Sequence, residues 1–354
     1  MSLLSTPTVV LHRFETETTT PADTIARCVA FLAKYKGRYV GLGIATFGPV
    51  CLSPSSPSFG RVLQTPKAGW SGTDVVGPFR AVDPRVPLRF DTDVNAPALA
   101  EHTLGAPPGA PLSSVAYVTV GTGVGVGLVV NGKPVHGLVH PEGGHVPVRQ
   151  LPGDEFGGYS WGGGAPYGGK GTVESLASAV GLCERLGHPS STASSRSLLK
   201  TLPPDHEAWD HCANALANLC ASLVLLCSVE RIVLSGGVMQ AGEPLFARVR
   251  ARTRQILNGY VQRPEILEDG GLAAFIGPST WGNEAGVVGA LNLARLAREE
   301  SLGEGGGGKK KKGEATELEQ ARMIVRGVMV GAGMGVLVGA AAGAGAVLLS
   351  RRRR

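Results

Sequence analysis

Several signatures that would settle a function early are missing from this sequence. Its six cysteines (Cys28, Cys51, Cys183, Cys212, Cys220 and Cys227) form no C-x-x-C pair. That argues against a disulfide framework and for reduced, mostly buried thiols in a cytosolic compartment. Met1–His12 has neither a basic start nor a long apolar run, so no secretory signal is read there. H-E-x-x-H is absent: His140 and His145 stand five apart and share no helical face, which excludes a zincin. G-x-S-x-G is absent too, and serine hydrolysis loses its support. Excess charge is missing from most of the chain. Of 34 basic and 28 acidic residues, ten and four lie after residue 300, which leaves 24 of each in residues 1–300. A neutral body lacks the clustered positive charge that nucleic acid requires.

What is present is glycine, 52 in 354 residues, densest at 121–132, 157–171, 303–308 and 327–345. Hydrophobic residues at 43% and charged ones at 18% suit a chain with a core. Val9–Thr16 alternates loosely and predicts a strand. Thr20-Pro21-Ala22-Asp23 opens a helix, with a capping hydroxyl, a proline at the first position and an acid in the first turn. Val40–Ala45 and Leu88–Asp91 read as short buried strands, the second followed by a helix from Asn95 to Leu104. Ser114–Val120 and Val126–Val130 flank Gly121-Thr122-Gly123-Val124-Gly125, and Asn131-Gly132 signals a hairpin. Helices are expected over Val173–Leu186, Glu207–Cys227, Pro244–Asn258 and Glu284–Arg298, with a strand at Arg231–Leu234 running into Ser235-Gly236-Gly237. Alternating strands and helices imply an α/β fold.

Residues 301–326 have linker composition, with Lys309–Lys312 among glycines and polar residues. Gly327–Leu349 then runs for 23 residues without a charge, between Arg326 and Arg351–Arg354. A helix of that length spans a bilayer. Gly327, Gly331, Gly335, Gly339 and Gly343 recur every fourth residue and would line one face, open to a second helix. The expectation is a C-terminal transmembrane helix at 327–349 with a basic tail at 350–354.

Three glycine or acid clusters carry chemistry. The amides of Gly121–Gly127 can converge on phosphate, or simply make a tight turn. In Asp91-Thr92-Asp93-Val94-Asn95, at a strand-to-helix junction, a carboxylate can take a proton from a hydroxyl, or cap the helix. Ser235-Gly236-Gly237 leaves room for a flat or charged ligand to approach the backbone.

In this order the pieces resemble the ROK family of sugar kinases and repressors, in its fructokinase-like branch. The resemblance is carried by Gly43–Pro49, Thr65-Pro66-Lys67-Ala68-Gly69-Trp70, Asp91–Asn95 with Ala96, Ala98 and Glu101, Gly121–Gly127, His140-Pro141-Glu142-Gly143-Gly144-His145, Leu234–Val238 and Gly282–Gly286 with Gly289-Ala290. It covers about residues 8–298. It implies an α/β, actin-like (ribonuclease H-like) two-lobed fold: an N-terminal lobe at 1–115 lacking its first hairpin, a C-terminal lobe at 116–283 and a closing helix at 284–300. It implies ATP-dependent phosphorylation of a hexose, fructose to fructose 6-phosphate, with ATP and Mg²⁺. Asp93 is then the catalytic base. Asn95, Glu142, His145 and Glu174 bind sugar, and Gly121, Thr122, Gly123, Gly125, Gly236 and Gly237 bind ATP. A homodimer is implied, and no nucleic-acid partner. With the apolar tail, the expected place is a membrane, an organelle's outer membrane being one candidate, with the body facing the cytosol.

Two features depart from the family. Its first phosphate loop, D-x-G-G-T-K-like, is not found ahead of Val9. Its three further zinc ligands are absent around Gly164–Glu174, where Ala165, Gly168 or Gly169, and Thr172 stand instead. The expectation is therefore no zinc, no metal site, and a mobile glycine loop. The missing phosphate loop also supports a second expectation, a catalytically impaired, membrane-tethered sugar-binding or scaffold relative.

Overall fold

The computed structural model describes residues 10, 12–65, 67–105, 112–160, 164–188, 198–304, 325–329 and 336–342. From the amino end, α1 (Pro21–Ala33) leads to β1 (Tyr39–Thr46), α2 (Val76–Arg80), β2 (Leu88–Thr92) and α3 (Asn95–Leu104). β3 (Val115–Val120), β4 (Val124–Val130) and β5 (Lys133–Pro134) follow. Then come α4 (Val173–Ala177), α5 (Ala179–Arg185), α6 (Ala208–Cys227), β6 (Arg231–Ser235), α7 (Glu243–Leu257), α8 (Pro264–Leu267), α9 (Asp269–Phe275) and β7 (Ile276–Pro278). α10 (Ala285–Glu304), β8 (Val325–Met329) and β9 (Leu337–Ala342) end the described chain. Two compact units result: Met1–Ala110 with His136–His140 and Glu284–Arg354, and Pro111–Val135 with Pro141–Asn283.

The first unit is built on a sheet in the order β2-β1-β9-β8. β1 runs parallel to β2 and antiparallel to β9. Its residues sort by the two-residue strand period. Leu42 and Ile44 enter a core with Cys28 and Leu32 of α1, Trp70 and Phe79. Gly41 and Gly43 point the other way, where a side chain would overlap the carbonyls of Ala294 and Ala290 in α10. The helix thus rests on bare strand backbone. α1 starts as expected: the Thr20 hydroxyl accepts from the Asp23 N–H at 3.3 Å, and Ile25, Cys28 and Leu32 are buried. Burying side chains of this size contributes about 1.5–3 kcal/mol each.

The strand expected over Val9–Thr16 is not formed among the described residues beyond a single bridge at Val10. Side chains hold this segment in place of a ladder. Phe14 stacks on Phe31 at 5.1 Å, and Arg13 pairs with Glu284. The tail also differs from expectation. Of the 23 residues read as a membrane helix, the described ones are Gly327–Met329 and 336–342, and they lie in β8 and β9 or directly before β9. Val336 and Val338 join the core of the first unit. Residues 343–354 lie outside the described residues.

The second unit has a sheet in the order β5-β4-β3-β6-β7. β3 and β4 form a hairpin, and β3, β6 and β7 run parallel. Among the described residues α6 is the helix long and apolar enough to cross a membrane. Its Trp209, Leu216 and Leu219 are instead buried in this unit's core. The helix expected over Val173–Leu186 is two helices. Ser178 takes an extended conformation between them, and its hydroxyl accepts from the Gly181 N–H at 3.2 Å to start the second.

The glycine loop expected to be mobile carries a net of hydrogen bonds through its described residues. Gly171 N–H donates to Gly157 O (2.9 Å), Tyr159 N–H to Ser175 O (2.9 Å), and the Ser160 hydroxyl to Gly168 O (3.0 Å). Just before this loop stands Asp154. Both its oxygens accept from Arg185, at 2.9 and 2.8 Å. Gln150 Nε2 donates to it at 3.1 Å, and His211 Nδ1 lies 2.9 Å away. Burial works against this carboxylate, yet its Arg185 and Gln150 hydrogen bonds hold it well below the usual acid range. Backbone bonds thus tie down described residues of a loop that lacks the family's metal ligands, and an ion cluster sits just ahead of it.

Candidate active site

In the first unit the candidate base sits where β1 and β2 end. Thr46 and Thr92 are register partners, and the Asp93 N–H donates to Thr46 O at 2.8 Å. Neither aspartate of the Asp91–Asn95 segment caps α3; the Thr92 hydroxyl does so, accepting from the Asn95 N–H at 3.0 Å. Asp91 is buried and structural. Its Oδ1 accepts from the Thr92 N–H (2.8 Å) and from Asn95 Nδ2 (2.9 Å), and its Oδ2 lies 3.0 Å from His136 Nε2. Asn95 is fully buried. Its Nδ2 is engaged with Asp91.

Asp93 differs from Asp91 because burial has raised its pKa to about 6, with the charge of Lys67 opposing the rise. At neutral pH it is therefore ionised, yet a far better proton acceptor than an ordinary carboxylate. Lys67 is drawn down from its usual value by burial, while Asp93 pulls the other way. Its ammonium lies over the Phe47 ring, 4.1 Å from the centroid, and 5.7 Å from that of Trp70. Those rings meet edge to face at 5.1 Å. Phe47 directly follows Thr46, whose carbonyl holds Asp93, so cation and base are fixed to the same end of β1. Pattern reading passed over Lys67 as a site residue. The signal available was a lysine between a proline and a tryptophan, in a loop already quoted for its resemblance.

In the second unit glycines make the site. β3 and β6 end side by side, Thr119 pairing with Ser235. The turn after β3 is tight: Gly121 N–H donates to Gly123 O at 2.8 Å. Gly125 lies within β4, opposite Thr119, and not in that turn. Gly236 has φ +97°, and a side chain there would overlap the Val120 carbonyl. Gly121 and Gly237, by contrast, have open space where a Cβ would stand. The two turns present bare main chain at the carboxyl ends of adjacent parallel strands, which suits a phosphate-bearing ligand.

Glu174 and His145 are placed against the same turn. The Glu174 carboxylate accepts from the Val124 N–H at 2.8 Å, and a side chain on Gly123 would collide with it. Burial raises the pKa of Glu174, and the Val124 bond and His145 oppose that rise. His145 follows a turn whose Gly144 lies against the Val124 carbonyl, with no room for a side chain. The His145 Nδ1 is buried without a protein partner. Glu142 is exposed at the head of that turn, its carbonyl accepting from the His145 N–H at 3.0 Å. Thr122 sits half-buried at the tip of the glycine turn. Among the described residues no group of three or more His, Cys, Asp or Glu side chains is arranged to hold a metal.

The description that matches this chain is "ROK family", over residues 5–297. The chain belongs to the ROK family. It is similar to a fructokinase of Zymomonas mobilis, 39% identical over 286 residues, covering 79% of this chain and 87% of the relative. It is similar to a protein described as a putative fructokinase of Bacillus subtilis, 32% identical, with 81% and 89% covered. Among solved structures it resembles a ROK hexokinase from Thermus thermophilus, with a TM-score of 0.58, 25% identity, and 80% and 90% covered. These likenesses give this ROK protein the actin-like, two-lobed sugar kinase fold. The family match ends at residue 297, and the place of β8 and β9 comes from the sheet.

Proposed function

We propose that this ROK protein is an ATP-dependent hexose kinase whose substrate is fructose, converted to fructose 6-phosphate. The observation that carries the reading is Asp93: a carboxylate at the open end of a parallel strand pair, relieved of capping duty, with its pKa raised to about 6 by burial. Such a group takes the proton from a sugar hydroxyl as that oxygen attacks the terminal phosphorus of the nucleotide. The Lys67 cation beside it keeps the base ionised at neutral pH and offsets negative charge at the reacting oxygen.

The second unit supplies positions. Gly121, Thr122, Gly123, Gly236 and Gly237 offer backbone to the nucleotide, whose bound Mg²⁺ supplies charge neutralisation at the phosphates. Glu142, His145 and Glu174 are the sugar's hydrogen-bonding partners. The buried, unpartnered Nδ1 of His145 supports this, since a buried polar atom is normally satisfied by something. Fructose is favoured among hexoses by the fructokinase relatives.

The test is a coupled assay of the full chain with ATP and Mg²⁺ against fructose, mannose and glucose, alongside Asp93→Asn. Phosphorylation of fructose ahead of the others is expected. The variant should lose about 10²–10⁴-fold in kcat/KM while melting at no lower a temperature. Undiminished turnover in the variant removes Asp93 from the mechanism.

A further inference from the structure

We infer that Val325–Met329 and Leu337–Ala342 are a strand pair of the first unit, the chain's own occupant of the free edge of β1, and not a membrane anchor. Three observations carry this. The first is register: Ala45, Ile44, Gly43 and Leu42 of β1 pair antiparallel with Leu337, Val338, Gly339 and Ala340 of β9, and β9 pairs in turn with β8 from Val325 to Met329.

The second is burial. Val336, Leu337 and Val338 are all buried, at 0%, 8% and 1% exposure. Val336 and Val338 belong to the core that holds Ile44, Trp70 and Phe79. A strand lying loosely on the surface would not seal both faces in this way. Without β9, moreover, β1 would present a row of unpaired backbone groups in the middle of its own unit.

The third is the glycine spacing that suggested a membrane helix. Gly339 stands opposite Gly43, and both lie under α10. A Cβ on Gly339 would come within 2.5 Å of the Ala290 and Leu291 backbone. Gly43 meets the same turn of α10. Glycine is thus required here by close approach of a helix to a sheet, the same physical demand as helix pairing in a bilayer but with a different partner. Leu337 pairs with Ala45, beside Thr46, so β9 begins at the end of β1 to which Asp93 is bonded.

The inference does not rest on the phosphoryl-transfer reading, and its tests read register, stability and location. Paired residues on antiparallel strands lie within disulfide reach. Ile44→Cys with Val338→Cys in the full chain, mildly oxidised, should give an intramolecular disulfide in the monomer, identified by peptide mass. Gly339→Val should lower the melting temperature by at least about 4 °C through overpacking, whereas Leu348→Asp should leave it unchanged. The full chain should stay in the soluble fraction when floated with phosphatidylcholine–phosphatidylserine vesicles. Absence of the 44–338 bond, a bond formed only between two copies, an unshifted melt for Gly339→Val, or flotation abolished by Leu348→Asp would each overturn the assignment.

Discussion

The two units solve opposite problems at the ends of their strands. In the first, the strand ends carry charge: a raised carboxylate, a lysine seated on aromatic faces, and a second carboxylate locked away by Asn95 and His136. In the second, they carry almost nothing but glycine, and the nearby glutamate is engaged in holding the backbone of Val124. Reactivity is concentrated in one unit and shape in the other. Where the second unit does use strong charge, at Asp154 and Arg185, the two are paired with each other.

That division breaks if Asp154 proves dispensable. Asp154→Ala leaves Arg185 half-buried without its partner and should destabilise the protein by about 3–5 kcal/mol, seen as a large drop in melting temperature. The folded carboxyl sits below its usual range, so its contribution is present above that range and is lost as pH falls through the depressed value. The gap between wild type and variant should therefore hold from neutrality through pH 5 and shrink only in stronger acid.

A smaller effect tests shape. Gly236→Ala forces a side chain into a left-handed backbone and against Val120, with strain of about 1–3 kcal/mol. Its KM for ATP should rise roughly tenfold while KM for the sugar moves little. An equal rise in both would show that the turn does not serve the nucleotide alone.

The smallest effect tests charge. Lys67→Met removes the cation that lowers the pKa of Asp93, so the acid limb of the kcat/KM profile should move to higher pH. The loss should be roughly threefold at pH 6 and slight at pH 8, with Lys67→Arg close to wild type. A limb that stays in place would detach Lys67 from the base.

Much of this was legible in the sequence, and the residues show where legibility stopped. The strand-end placement of Asp93, the 121–123 turn and the Gly236–Gly237 turn was legible because a strand end followed by acid or glycine is a local pattern. That Asn95 is buried with its amide donated to Asp91 was not legible, since adjacency in the chain does not say which partner a side chain takes. Gly125 was placed in a turn that ends two residues earlier, because glycine in a strand and glycine in a loop look alike in one dimension. The loop around Gly157–Gly171 was expected to move because ligands were missing. Its described residues nevertheless share backbone bonds such as Gly171 N–H to Gly157 O and Tyr159 N–H to Ser175 O, which a missing ligand pattern does not reveal. The tail was the largest difference. Uncharged residues with glycine at every fourth place satisfy a bilayer helix, and one of those glycines, Gly339, equally satisfies a strand under a helix. Only the partner decides, and the partner, β1, lies nearly 300 residues away.

Keeping Asp93 reactive has a thermodynamic counterpart. Unfolding would return this carboxyl to an ordinary acid near 3.8, whereas folding holds it near 6. Between those values the folded chain binds the extra proton, so folding is favoured more in mild acid, and the advantage fades as the solution approaches neutrality. The protein is thus held together least firmly, at this one position, under the conditions in which the position works, and the remainder of the first unit's core must make up the difference.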